Sequence, residues 1–502
     1  MRNGYTGDTE DMILAEDIEP YISEPDNIYD LAGNCFGLLS EEIADPVKFI
    51  SNYASGKEKR TSNPNLYVLE RFFLETAGMV RDYRPTYYGR FISRVREMIG
   101  KLQLTEYLDK KENELSVIYF LLSAIDAGAR SWKRDKLFSG LGPLDRISKT
   151  GYRVYLGCRD TLISDYEVKV GRNRKQANDF SSQFDTFHFI NMKRWKSGEH
   201  VPRIVYVPRM KNVSEKKTLR ASVIPGPAEE NMRFAEIQGS SYRVEYSEID
   251  QKTAVEKAAN SLKKAIQKKC DIIVLPEYVV SPEVYEEICR QLRKAWEDEP
   301  ECMPALIFSG TTWTDDDNNV MKILDSYGDE IGQYYKYSPF TKKKPGNYNF
   351  AQCEGLSDPG KYCDLMAVEG WGIPLPAICR DVIDREYTEE IVRLLLPFMV
   401  VISACSPSVA SFTEPQQEMA HKYFTSSILA NACCAVDGCT GRKNIGNAGI
   451  VHKNQTLAGI HIEDICRDDS CANCKEQECV YIIDFDFTYD NNTNTKLTIS
   501  KA

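Results

Sequence analysis

Asp271-Ile-Ile-Val-Leu-Pro-Glu277 is the segment on which the architecture turns. Its apolar run is too short for an amphipathic helix, is rich in β-branched residues and stops at proline, so it reads as a buried strand. Upstream, Ala254, Ala258, Leu262 and Ile266 recur at helical spacing, and downstream Pro282–Trp296 forms a second helical pattern. Leu219–Ile224 reads as a preceding strand, and further strands are expected near Pro304–Ser309, Leu375–Ile378, Val400–Ala404 and Gly449–His452. Strands alternating with amphipathic helices give an α/β fold. In open sheets of that kind, sites gather beyond the carboxyl ends of the strands, which is where Glu277 falls.

Two further strand ends carry reactive groups. Tyr334-Tyr-Lys336-Tyr-Ser-Pro-Phe340 sets a lysine among aromatic residues, and Trp371-Gly-Ile-Pro-Leu-Pro-Ala-Ile-Cys379-Arg-Asp381 ends in a thiol ahead of an expected helix, Asp384–Leu396. Taken singly, Cys379 reads as a buried inert thiol, Lys336 as a surface lysine and Glu277 as a helix cap. Brought together they permit a definite chemistry. A helix N-terminus and a nearby ammonium both favour thiolate, and the ammonium can then face an oxyanion. A glutamate can take the thiol proton, return it to a leaving amine and activate water. That is acyl transfer from a C–N bond through a thioester, with none of the chain's five histidines adjacent to Cys379.

These motifs resemble those of the nitrilase, or carbon–nitrogen hydrolase, superfamily, whose catalytic set is Glu, Lys and Cys. Ile272–Glu277 matches its glutamate motif, Tyr335-Lys336 with Phe340 its lysine motif, and Gly372–Asp381 its cysteine motif. A second active-site glutamate ahead of Pro-Gly is matched by Glu354-Gly-Leu-Ser-Asp-Pro-Gly360; outside that context Glu354 reads as a loop acid. The resemblance covers residues 218–488 and implies a four-layer α-β-β-α sandwich that pairs into homo-oligomers. It implies hydrolysis of a small amide, carbamoyl compound or nitrile, with Cys379 as nucleophile, Glu277 as acid/base, Lys336 at the oxyanion and Glu354 orienting lysine or substrate. Acyl transfer to an amine on the same site stays open, as does a nitrilase-fold scaffold or effector. Nitrilase-like domains occur attached to reverse transcriptases of bacterial defence systems; this chain has no polymerase Tyr-x-Asp-Asp motif, so that role needs a separate polymerase partner. Arg380 stands where the family often has an aromatic residue, and the stretch from Glu277 to Lys336 is short for the family.

Composition bounds the rest. The chain has 502 residues, a net charge of −11 and 42% hydrophobic residues, enough for several packed cores. Its longest apolar run, Leu394–Cys405, is of core-strand length, so no membrane helix is expected. Sixteen cysteines and no secretory signal suggest reduced thiols and a cytoplasmic setting. Residues 1–43 carry eleven acids and one base and read as a flexible acidic arm. Residues 44–140 read as a helical bundle, with stripes through Leu66–Val80, Tyr88–Ile99 and Leu115–Ile125. A basic α+β connector follows over 141–217; 21 Lys or Arg against nine acids in 130–220 suit either a solvated face or nucleic-acid contact. Residues 489–502 read as a tail. Within the C-terminal half, residues 466–479 hold Cys466, Cys471, Cys474 and Cys479, a spacing that suits a structural Zn2+ clip or reduced thiols in a loop. Catalysis itself calls for no cofactor, since Walker, dinucleotide, HExxH and GxSxG patterns are all missing from the sequence.

Overall fold

The computed structural model describes residues 18–51, 64–83, 87–103, 111–129, 147–156, 184, 187–192, 201–207, 218–226, 232–237, 241–247, 251–343, 351–357, 362–368, 371–384, 391–393, 395, 397–423, 425–433, 435, 445–453, 458–466, 478–487 and 496–502. The chain divides into two compact units, one of residues 1–157 and 168–194, the other of 158–167 and 195–502.

The first unit contains helices α1 (Glu19–Ser23), α2 (Ile28–Glu42), α3 (Pro46–Ser51), α4 (Pro64–Arg81), α5 (Tyr88–Gln103) and α6 (Lys111–Ala129), with the antiparallel pair β1 (Tyr152–Leu156) and β2 (Phe187–Asn191). Residues 18–43 are therefore not an arm. Asn27 caps α2 by accepting from the Tyr29 and Asp30 amides, and α2 buries Leu31, Ala32, Cys35, Phe36 and Leu39. The acids that suggested disorder hide this apolar face; residues 1–17 lie outside the described residues. Phe36 stacks on Phe189 of β2 at 4.1 Å, which shows why the proposed connector is not one body: β1 and β2 belong to the helical core.

In the second unit a nine-stranded sheet runs in the order β20-β19-β4-β7-β8-β9-β10-β13-β3. These strands are β3 (Val201–Val207), β4 (Thr218–Val223), β7 (Ile272–Val274), β8 (Leu306–Trp313), β9 (Asn319–Leu324), β10 (Glu330–Tyr335), β13 (Tyr362–Val368), β19 (Tyr481–Asp486) and β20 (Lys496–Lys501). Residues 201–207 of the connector supply an edge strand, β3, pinned to β13 by a bidentate Arg203–Asp364 ion pair at 2.6 and 2.7 Å. The expected tail supplies the opposite edge, β20, which pairs with β19 over its whole length. Helices α7 (Gln251–Gln267) and α8 (Pro282–Asp298) lay Ala254, Leu262, Ile288 and Leu292 against Ile273 and Ile307 of this sheet.

A five-stranded sheet has the order β14-β15-β16-β17-β18, from β14 (Pro374–Ile378), β15 (Met399–Ala404), β16 (Ser426–Asn431), β17 (Gly446–Lys453) and β18 (Ala458–Asp464). Helices α9 (Arg380–Ile383) and α10 (Ala410–Tyr423) follow its strands. A four-stranded sheet, β11-β12-β6-β5, joins β5 (Met232–Glu236), β6 (Ser241–Tyr246), β11 (Thr341–Lys343) and β12 (Ala351–Glu354). Among the described residues, no helix is long and apolar enough to cross a membrane.

One local feature sets the turn that carries Glu277. The β8–β9 register shifts between Phe308 and Thr311, and Gly310 within that bulge has φ +77°. A Cβ there would lie 2.4 Å from the Pro276 carbonyl, which instead accepts from Thr311 N at 3.2 Å. Gly310→Ala is therefore expected to cost about 1–3 kcal/mol in denaturant unfolding, from clash and left-handed strain together.

Candidate active site

Three strand ends meet here. Beyond β7 the chain turns through Pro276 and Glu277, with Tyr278 held at φ 66° by donation of its amide to Thr311 Oγ1 at 2.9 Å. Lys336 directly follows β10, and its amide donates to the Asn319 carbonyl at the start of β9. Cys379 directly follows β14 at φ 44°, ψ −102°, its amide donating to the Ser403 carbonyl of β15 at 2.9 Å. A non-glycine residue held in such a conformation is strained, and strain of this kind marks sites where one side chain must be aimed. The end of β15 ties two of these turns together. Ala404 O accepts the Glu277 amide, and Cys405 N donates to Glu277 Oε2 at 3.0 Å.

All four expected residues converge, and all are buried. Lys336 Nζ lies 2.7 Å from Glu277 Oε1 and 2.6 Å from Glu354 Oε2, with its own side chain fully enclosed. Glu354, the last residue of β12, also accepts from Phe340 N at 2.6 Å and from the Tyr278 hydroxyl. The buried Cys379 thiol feels the charges of Glu277, Lys336 and Glu354. Lys336 Nζ also sits 5.7 Å from the Tyr278 ring centroid, a cation–π distance.

The electrostatics follow from burial. Desolvation pushes Glu277 above the ordinary carboxylate range and, with help from Glu354, wins over the attraction of Lys336. For Lys336, burial opposes the charge, but Glu277 and Glu354 outweigh it and hold the ammonium protonated. Burial first, and the Glu277 charge second, raise the Cys379 thiol well above its usual value against the pull of Lys336. This corrects the expectation of a helix-favoured thiolate. The helix directly after Cys379 is the four-residue α9, too short to supply a useful dipole; of the expected helix Asp384–Leu396 the structure describes only residue 384 and the helical residues 391–393 and 395. The thiol is protonated at rest, beside a base.

Two further residues, assigned no role from the sequence, build the site. Asn319 donates from Nδ2 to Glu277 Oε1 at 3.0 Å and to Glu354 Oε1 at 3.2 Å. Asp381, fully buried, accepts at Oδ1 from Tyr337 N and Ser338 N at 3.0 and 2.6 Å, so the turn after Cys379 fixes the turn after Lys336. The side chain of Arg380 between them is exposed. Of the cysteines elsewhere in apolar segments, Cys270 and Cys433 are buried, Cys405 is half-buried with its backbone on Glu277, and Cys434 lies outside the described residues. In the four-cysteine run, Cys466 and Cys479 are half-buried while Cys471 and Cys474 lie outside the described residues. Among the described residues no group of three or more His, Cys, Asp or Glu side chains is arranged to hold a metal.

No family model matches this sequence, and no curated protein matches it. Solved structures do match about half of it. A Saccharomyces cerevisiae member of branch 10 of the nitrilase superfamily is 13% identical, with TM-score 0.34, over 52% of this chain and 93% of its own. A carbon-nitrogen hydrolase from Helicobacter pylori G27 is 14% identical, with TM-score 0.33, over 47% and 82%. An amidase from Nesterenkonia sp. is 14% identical, with TM-score 0.32, over 56% and 94%. At such distances the likeness assigns no chemistry, which has to come from the side chains just described.

Burial pushes Asp381 up to about 7, against the pull of its backbone donors and of Lys336. A carboxyl with a raised folded pKa holds its proton more tightly folded than unfolded, so its contribution to stability falls as pH rises from about 4 to 7 and is level above that. Asp381→Asn keeps an acceptor for both amides and is expected to flatten that part of the stability–pH curve. Asp381→Ala, which leaves the two amides without their acceptor, is expected to cost about 1–3 kcal/mol in denaturant unfolding at neutral pH.

Proposed function

We propose that this chain is an enzyme of the nitrilase superfamily that hydrolyses non-peptide C–N bonds in a small amide, carbamoyl compound or nitrile. One observation carries the reading: a buried Lys336 ammonium lies between Glu277 and Glu354, and the buried Cys379 thiol feels the charges of all three. Burying two carboxylates and an ammonium is costly, and a scaffold would pack better with apolar residues in their place. Such an array is retained where charge must be moved or faced.

The roles follow from what each group has left to give. Lys has three N–H donors, and Lys336 spends two on carboxylates, leaving a third for an oxyanion. Glu354 accepts from Lys336, Tyr278, Phe340 and Asn319 and is spent as a base. Glu277 is the carboxylate whose charge acts more strongly on the thiol. For an amide, Glu277 takes the Cys379 proton as sulfur attacks the carbonyl carbon, and the oxyanion forms against Lys336. Collapse breaks the C–N bond, the amine leaves with the proton held by Glu277, and a thioester remains. Water then loses a proton to Glu277 and attacks the thioester, and the acid departs as that proton returns to sulfur. The α-β-β-α layering of the two larger sheets belongs to this proposal, since it would place the β7, β10 and β14 ends around one cavity.

Ammonia release from a panel of primary amides and nitriles tests the reading. Cys379→Ala is expected to fall to background and Glu277→Gln to lose about 10²–10⁴-fold. Turnover by Cys379→Ala equal to that of the wild type would end the proposal.

A further inference from the structure

Two like charges share very little space in this site. Glu277 and Glu354 share one cation, Lys336, so one negative charge stays uncompensated where all three side chains are buried. The remaining group between the two carboxylates is the neutral amide of Asn319, which is 1% exposed and reaches one oxygen of each. Its orientation is forced, because the reversed amide would set Oδ1 against two anions. That orientation leaves Oδ1 buried with no hydrogen-bond partner among the described residues. Buried acceptors are seldom left open, so the donor end is the end in use.

We propose, resting on the reading of Glu277 as acceptor of the Cys379 proton, that Asn319 is a positioning residue whose amide clamps Glu277 and Glu354 side by side. It acts through Glu277 and does not touch the reacting atoms. Its backbone carbonyl accepts the Lys336 backbone amide, so the same residue also sets where the lysine leaves β10. The groups facing Glu277 are Lys336 after β10, Glu354 on β12, Cys379 after β14 and the backbone N–H of Cys405 after β15. The phenols of Tyr278 and of Tyr242 on β6 complete the surround; burial, then the nearby carboxylate charge, keeps both protonated. Without the clamp Glu277 loses a donor to its ionised form and meets Glu354 with less to separate them, so its proton affinity rises.

The test follows the carboxyl rather than turnover. Carbon-13 labelling of glutamate carboxyls in the full chain, with the Glu277 signal assigned by its loss in Glu277→Gln, gives the titration by NMR. Asn319→Leu keeps the branched shape and heavy-atom count and removes the donor, and is expected to move that titration up by about one pH unit. Asn319→Thr keeps one hydroxyl donor on a strand-compatible side chain and is expected to move it less, and it serves alone if the leucine variant does not fold. Titrations coincident with wild type in the folded variants would overturn the proposal, since a residue that merely fills space would leave the curve in place. Failure of the hydrolase reading is separate: it shows as a lack of Cys379-dependent ammonia release and leaves the carboxyl titration readable.

Discussion

A single enclosed ammonium holds this site together. Lys336 cannot stay charged away from water without an anion, and neither Glu277 nor Glu354 can stay charged without a cation. Removing the lysine leaves two buried carboxylates without a cation, whereas removing either glutamate leaves the other to pair with it. The local backbone devices serve it. The bulge at Gly310 admits the Pro276–Glu277 turn, Asp381 fixes the residues after Lys336, and the positive-φ backbone at Cys379 makes the turn out of β14.

Three sheets supply these groups. Glu277 and Lys336 come from the nine-stranded sheet, Cys379 from the five-stranded sheet and Glu354 from the small four-stranded one. Rigid strands hold reacting groups to tighter geometry than loops can. The end of β15 joins two of the sheets by bonding both the Glu277 turn and the Cys379 amide. Register between β6 and β12, with Glu354 opposite Tyr242, fixes the third contribution.

Much of this was legible in the sequence because strand ends announce themselves. A β-branched run stopped by Pro-Glu, and a run stopped by Ile-Cys, each predict a strand that delivers a polar residue at its carboxyl end, and both do so. Glu354 was placed by its motif although its local sequence suggests a loop; it ends a strand. Asn319 was hidden because it follows Asp315-Asp-Asp-Asn318, where any asparagine reads as a turn residue. Asp381 was seen only as part of a motif, since its partners are backbone amides 43 and 44 residues away. The misreadings share one cause. Charge density in residues 18–43 and polarity in 496–501 describe the outward faces of α2 and β20, and composition is blind to which face is which. The protonated thiol likewise depends on burial, a tertiary quantity that no spacing encodes.

The most direct measurement of the central claim is the rate at which iodoacetamide alkylates each cysteine at neutral pH, read peptide by peptide in wild type and Glu277→Gln. The account predicts that Cys379, which must pass its proton to Glu277 as it reacts, slows by about 10²-fold or more in the variant. Cys405 should keep its rate in both. A Cys379 rate that is unchanged when the glutamate loses its charge would contradict the coupling of thiol, carboxylate and ammonium.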